Sequence, residues 1–551
     1  MRKIMTACVL VLVVMALSLS LALAQSDQEV IDEVFTETES IRGLQADPGI
    51  QVNYLNREQL EQRMLEDFAE ENPEEEIDDA ESIMVMLGFI EPDLDLEDFY
   101  VALLTEQVAG FYDPEDNGLY LISENEAVSA MDQYTLSHEF VHYLQDQNFD
   151  LMRPPFHDPD DVAEETDDDA SFAATCLVEG DAMLASENWL MKYMDAEDML
   201  SMQSESGEYS SEVLDSAPEY IYESLLFPYM EGAEFVREVY DEGGWDAIDR
   251  AYSEPPSTTE QIYHPEKYLK GEKAVTVELE DISSQLGSDW ELDYENVLGE
   301  FDVYQLFSPY FMDIDDVETA AAGWGGNRYQ YYSNGDGDEL LVQKYAWDSE
   351  KDAQEFASAY TQYVSDRFGE EVKKEPSIGA WSIWSTDEYT LGLKREGKDI
   401  CVAQADTIEP FDVAVASLGE KGDDIDEGAL KTETKEDSEE TDLSWLVIAL
   451  VIGLLALGII LVIAMLVMYK RPPAPPAQPP TGTTGPYYGP PGGGAGGYAE
   501  PPQGGATGTI QPPPPAVVQP PPLPPSQVPP PPGTNPPAGM PPGSTPVEPI
   551  E

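Results

Sequence analysis

Thirty of the 45 prolines in this 551-residue chain fall within its last 80 residues. Each proline fixes φ and removes a backbone donor, so residues 470–551 are expected to be a disordered Pro/Gly-rich tail of polyproline II character, outside any core. Tracts such as Pro512 to Pro515 suit an aromatic-lined groove on a cytoplasmic partner. Folding is thereby confined to what precedes the tail, and there acids dominate. Residues 25–442 hold 107 acids against 22 bases, a net of −85 in a chain whose total formal charge is −84. That balance excludes nucleic-acid binding, because neutralising phosphates needs a basic excess. It favours solubility instead, and suits concentrated salt, where self-repulsion is screened.

Two apolar runs bracket the acidic region. Arg2 and Lys3 precede Ile4 to Leu23, and Ala22-Leu23-Ala24 offers a cleavage site, so residues 1–24 read as a signal peptide. Leu443 to Tyr469 is 27 residues without a charge, followed by Lys470-Arg471. This pattern predicts one transmembrane helix over 443–469, a single-pass anchor with the N-terminal ectodomain outside and the C-terminal tail in the cytoplasm. Residues 419–442, charged and poor in large apolar side chains, read as an acidic stalk.

Between these segments the patterning predicts an α+β fold: a mainly helical part over 25–270 with a small β-hairpin or sheet, then a smaller α+β domain over 271–418. Asn56 with Gln59 is a cap signal before Leu60, Met64 and Phe68. Val108 to Tyr112 and Leu119 to Ile122 read as a hairpin, and the latter strand as an edge on which an extended peptide could pair. Long helices are expected around Tyr134 to Gln147 and Ala170 to Met194. Further on, strands are predicted at Arg328 to Tyr332, Leu340 to Trp347, Trp381 to Trp384, Tyr389 to Lys394 and Ile400 to Ala405, with a helix over Ser349 to Phe368. The acidic turn Asn334 to Asp338 lacks the glycine and the twelfth-position acid of a calcium loop, since Glu339 and Tyr345 stand there, and reads as a hairpin turn. Cys176 and Cys401 are expected as two separate buried thiols.

The chemistry-bearing motif is His138-Glu139-Phe140-Val141-His142, in a chain with only four histidines. On a helix, residues i and i+4 lie one above the other, so both imidazoles can reach one Zn2+ ion while Glu139 stands to the side, placed to hold a water. A catalytic zinc normally takes a third protein ligand. The metzincin pattern is excluded, because Asn148 stands where its third histidine would be. Glu179, among the apolar neighbours of Cys176 to Ala182, is the better candidate, with His157 and the acids of Asp158 to Asp169 as rivals.

Together these residues resemble the gluzincin class of zinc metallopeptidases. Ala109 to Asp113, Thr135 to Gln147, Leu177 to Ala182, Pro255 to Tyr268 and Trp324 to Tyr329 resemble predicted secreted metallopeptidases of bacteria and archaea, over most of residues 50–405. The resemblance implies a zincin-like catalytic domain with metal ligands His138, His142 and Glu179, and a protein or peptide substrate cleaved by a zinc-activated water with Glu139 as catalytic general base. Met183 stands where the thermolysin pattern has an aspartate that orients a zinc-bound histidine, leaving Asp181 as a substitute. The oxyanion donor is open among His264, Tyr263 and Tyr268. The expected function is a membrane-anchored extracellular zinc metalloprotease, a hydrolase; the alternative is a non-catalytic cell-surface binding or sensory protein on the same scaffold.

The charge imbalance carries a first prediction. The Debye length falls from about 30 Å at 0.01 M salt to about 3 Å at 1 M, so the melting temperature is expected to rise with sodium chloride well beyond 0.15 M, relative to an equally concentrated neutral osmolyte. A flat or falling curve would mean that local pairing already neutralises the surface.

Overall fold

Helical patterning dominates up to about residue 270 and strands dominate thereafter. The computed structural model describes residues 27–47, 49–71, 74–123, 128–157, 167–206, 211–311 and 314–430, all within one compact unit. In chain order the elements are α1 (27–42), β1 (Val52–Leu55), α2 (Arg57–Glu71), α3 (Glu74–Leu87), α4 (Leu96–Gln107), β2 (Gly110–Asp113), β3 (Gly118–Ile122), α5 (Ala130–Phe149), α6 (Asp168–Tyr193), α7 (Ala196–Ser206), α8 (Glu219–Gly243), α9 (Trp245–Ala251), α10 (Thr259–Tyr263) and α11 (Pro265–Lys270). They continue as α12 (Ser283–Leu286), β4 (Trp290–Asn296), α13 (Glu300–Phe307), α14 (Ile314–Ala321), β5 (Trp324–Asn334), β6 (Glu339–Trp347), α15 (Glu350–Phe368), β7 (Lys373–Ile378), β8 (Trp381–Ser385), β9 (Thr390–Glu396), β10 (Asp399–Ala405) and α16 (Ile408–Leu418). The fold is α+β.

In the first part, β2 and β3 form the expected antiparallel hairpin, and β1 adds to β3 in parallel, giving the order β1-β3-β2. Leu119 to Ile122 is therefore not an edge: β3 has its ladder groups taken on both sides, and the edges are β1 and β2. The next helix, α5, starts at a capping box, in which Asp132 N–H donates to Ser129 Oγ at 3.1 Å and Ser129 N–H to Asp132 Oδ2 at 2.9 Å. It ends at Asp150, with φ of 60°. From Tyr134 to Gln145 every residue is buried, so this helix runs through the interior.

The second part is a seven-stranded antiparallel sheet in the order β4-β5-β6-β10-β9-β8-β7. The turn 334–338 joins β5 to β6, as a hairpin. Alternation along the strands sends Leu341, Tyr345 and Val402 to the face covered by Phe356, Ala357 and Tyr360 of α15, and Leu340, Val342, Cys401 and Ala403 to the face covered by Phe411, Ala414 and Val415 of α16. The strands β4 and β7 and the helices α13, α14 and α16 have no counterpart in the sequence reading. Cys176 and Cys401 are free and buried.

One joint ties the sheet to the helices. Ile83, Met86, Leu87 and Phe89 enter the same apolar cluster as α15 and the sheet. The last carbonyls of a helix have no partner within it, and α3 has no basic residue in its last turn. Arg367 supplies the cap, donating to the carbonyls of Met86 and Val85 at 2.7 Å each, while Gln404 also donates to Met86 O and Tyr363 to Leu87 O, both at 2.9 Å.

Two expectations are corrected. Among the described residues no helix is long and apolar enough to cross a membrane; the longest, α6 and α8, carry acids along their length. The single-pass anchor and the outside-facing location are withdrawn on that finding. Their segment 443–469, the signal peptide 1–24 and the tail 470–551 lie outside the described residues. Nor do residues 419–430 form a free stalk: Leu430 is buried in the cluster around α15, Asp423 bridges to Arg395, and Ala380 N–H donates to Glu420 O.

Several acids are buried where α6, α10 and α13 meet. Thr259 donates to Asp169 Oδ1 from its backbone N–H at 2.9 Å and from Oγ1 at 2.6 Å, and Tyr220 donates to Asp302 Oδ1 at 2.9 Å. Burial raises Asp302 to about 6 and Glu260 to about 7, and Asp169 well above the usual range. A carboxyl raised by folding favours the folded state below its unfolded pKa, and that contribution is lost as pH rises through the folded value. At about 1.4 kcal/mol per pH unit of displacement, Asp302 alone is worth on the order of 2–3 kcal/mol. The melting temperature is therefore expected to fall between about pH 4 and pH 7 at fixed ionic strength, and Asp302→Asn to flatten that slope below about pH 6; an unchanged slope in Asp302→Asn would remove Asp302 as its source.

Candidate metal centre

The spacing of His138 and His142 on α5 sets their rings edge to face, with centroids 4.7 Å apart. Glu179 arrives from α6, which crosses α8 at two glycines: a Cβ on Gly180 would collide with Gly232 O, and one on Gly232 would lie 2.5 Å from Cys176 O. That close approach seats α6, and residue 179, one position before the contact, turns its carboxylate toward α5. Glu179 Oε2 lies 3.2 Å from His138 Nε2 and 3.5 Å from His142 Nε2. One ligand atom from each of the three residues lies within 4.8 Å of the others, and all three residues are buried. His142 Nε2, Glu179 Oε1 and both oxygens of Glu139 have no hydrogen-bond partner.

The electrostatics follow from this crowding. Burial disfavours the charge on His142, but Glu179 outweighs it and raises the imidazole to about 9. Burial likewise acts against the Glu179 carboxylate, and the two histidines hold it down at about 2. His138 is lowered, chiefly by burial, and Glu139 is raised to about 8 by burial, with His142 pulling the other way.

A hydrogen-bond chain behind His142 fixes its orientation. Gln145 Nε2 donates to Val178 O and to Asp181 Oδ2, both at 3.0 Å. Its Oε1 must then accept from His142 Nδ1–H, at 2.9 Å, which turns Nε2 toward Glu179. Asp181 is held by Arg42 Nε at 2.7 Å and Tyr252 Oη at 2.9 Å, and Arg42 also pairs with Asp249 at 2.8 Å. The aspartate absent at Met183 is thus replaced through an intermediate: Gln145 touches the histidine, and Asp181 touches Gln145.

The profile of a domain of unknown function (DUF8575) matches residues 290–414, from β4 into α16. The matched region is the sheet, and none of the clustered residues lies within it. No curated protein and no solved structure matches the chain.

Other candidates fall elsewhere. His157 is buried and does not join the group. Of the acids 158–169, residues 158–166 lie outside the described residues, Asp167 caps α6, and Asp169 is held by Thr259. His264 accepts or donates at 3.1 Å to Glu300, Tyr268 donates to Glu254 O at 2.9 Å, and Tyr263 packs on Phe227; none of these contacts is with the three clustered residues. Tyr229 on α8, which the sequence reading passed over, has its ring 6.3 Å from that of His138. A second group of acids, Glu260, Glu272 and Asp348, surrounds Lys267 Nζ at 2.6–2.9 Å, so an ammonium already fills it.

Outer partners of a liganding histidine typically alter metal affinity by about 10–100-fold. Zinc affinity, measured by chelator competition, is expected to fall by about that factor in Gln145→Leu and to be lost in His142→Ala. Full affinity in Gln145→Leu would deny the amide its orienting role.

Proposed function

We propose that the chain is a zinc-dependent peptidase of the gluzincin type, with His138, His142 and Glu179 as the residues that hold the ion. The observation that carries this reading is the set of buried, partnerless acceptors on Glu139, His142 and Glu179. Leaving such atoms unsatisfied costs about 1–3 kcal/mol each, more when charged, and a divalent cation answers those of His142 and Glu179 together, while Glu139, outside the ligand group, is left to meet a water. Two imidazoles and a carboxylate also match the donor set of a catalytic zinc.

When bound, zinc supplies Lewis acidity, polarising a peptide carbonyl and acidifying a water. The rest is done by the chain. Glu139 stands beside the ligands without belonging to their group, placed to take the attacking water's proton and pass it to the leaving amine. Gln145 keeps His142 turned so that Nε2 faces the ion. Tyr229, beside His138, is the phenol we assign to the developing oxyanion in place of His264, whose partner is Glu300.

One observation favours a second reading, a zinc scaffold that binds without turnover: His138, Glu139, His142 and Glu179, the residues that would do chemistry, are all buried, so a peptide reaches them only if neighbouring elements part. Hydrolysis of an unfolded protein such as casein separates the two. Glu139→Gln is expected to lower the rate by about 10²–10⁴-fold with zinc still bound. Wild type and variant equally inert across a broad panel, both zinc-loaded, would leave the scaffold reading.

A further inference from the structure

The N-terminal helix α1 lies far from the metal-bearing helices in sequence, yet it ends among the surroundings of the site. Ile31, Val34 and Phe35 join Phe140, Tyr143 and Leu144 of α5 in one apolar cluster, and Trp189 of α6 donates to Glu37 at 3.0 Å. Gly43, at φ of 80°, ends the helix directly after Arg42. The last side chain of α1 is thereby carried into the interior, where Arg42 and Asp181 are both fully buried. Helix α9 holds the guanidinium from its other side, with Asp249 2.8 Å from Nη2 and the Trp245 ring centroid 4.7 Å away.

A buried ion pair adds little stability over apolar side chains of the same volume, because each ion gives up its hydration. What this pair adds is direction. Asp181 receives Arg42 Nε on Oδ1, and Gln145 Nε2 and Tyr252 Oη on Oδ2. A carboxylate only accepts, so it draws the amino end of the Gln145 amide toward itself, as Val178 O also does, and leaves Oε1 for His142 Nδ1. Without the guanidinium, one carboxylate oxygen is left unpartnered in the interior, and the group regains a partner only by turning, which takes Oδ2 off Gln145. A reversed amide would then offer N–H to Nδ1. That contact suits an imidazole with its proton on Nε2, the atom that faces Glu179, and such a tautomer has no lone pair there for a metal.

We infer that Arg42 is a positioning residue of the metal centre, acting through Asp181 and Gln145 on His142, and that α1 is accordingly a working part of that centre. The inference rests on the reading that His138, His142 and Glu179 hold zinc, and extends it to regulation. An N-terminal segment ahead of a catalytic region can be a removable mask. Here its last side chain stands behind the histidine, on the Nδ1 side, so displacing α1 weakens the site instead of uncovering it.

The test is the zinc affinity of the full chain, measured by chelator competition and arranged as a double-mutant cycle. Arg42→Met is expected to weaken zinc about tenfold, the lower end of what outer partners of a liganding histidine contribute, and to have no further effect in Gln145→Leu, where the path is already cut. Arg42→Lys keeps the charge but not the planar fork; a smaller loss is expected, again only with Gln145 present, and this variant carries the test if Arg42→Met does not fold. Unchanged affinity in the folded variants would overturn the assignment, and so would an equal loss in the Gln145→Leu background, which would mark Arg42 as packing alone. A wild-type chain that binds no zinc would remove the metal reading and this inference together, whereas zinc bound by wild type and indifferent to Arg42 would remove the inference only.

Discussion

The contact between Gly180 and Gly232 is the constraint on which the candidate site rests. Packed helices usually stand 8–10 Å apart according to the side chains between them, and here there are none at the crossing, since each glycine faces the other helix's backbone. Any side chain at either position would push α6 away from α8 and rotate the adjoining turn. Glu179 precedes one of these glycines and Asp181 follows it, so the carboxylate facing the histidines and the carboxylate behind Gln145 are placed by the same approach. Cys176, whose carbonyl meets Gly232, is raised far above the usual thiol range by burial and serves as a small apolar filler.

Around that contact the protein tolerates a dense set of buried charges because most of them are answered. Arg42 reaches Asp181 and Asp249, Lys267 is enclosed by Glu260, Glu272 and Asp348, and Arg367 closes the end of α3. Each of these cations joins segments far apart in the chain, so with 22 bases spread over residues 25–442 they act as joints between elements more than as surface charge. Among the described residues the unanswered buried atoms are otherwise scattered, and four of them gather on Glu139, His142 and Glu179.

What was legible in the sequence follows from range. The histidine pair was plain because an i, i+4 relation on a helix is set by local geometry, and the hairpin β2–β3 because Asp113-Pro114 to Gly118 is local turn chemistry. Glu179 was legible as a carboxylate among apolar neighbours. Gln145 was not singled out, although it lies three residues after His142 on the same helix face; an amide gains its role only from Val178 and Asp181, which the fold brings to it. Strand β1 was missed because its partner β3 lies more than sixty residues on and pairs in parallel, leaving no turn to read. His264 is a candidate in the sequence because its polar cluster lies between helical patterns, yet its partner, Glu300, comes from α13, an element with too few residues to give a periodic signal.

Acidity itself explains why composition could point to the surface but not to the chemistry. A carboxylate in water and one in a protein interior are the same letter, and their difference is a matter of what surrounds them. Glu179 is held ionised by two histidines, whereas Asp302, with only a tyrosine and a backbone amide to stabilise it, takes its proton some two pH units above its usual range. Glu139 lies between these extremes, close enough to His142 to be drawn down and buried enough to be driven up. An acid so balanced changes its charge with what is bound beside it. That property follows from the crossing of α5 and α6, and no count of acids along the chain contains it.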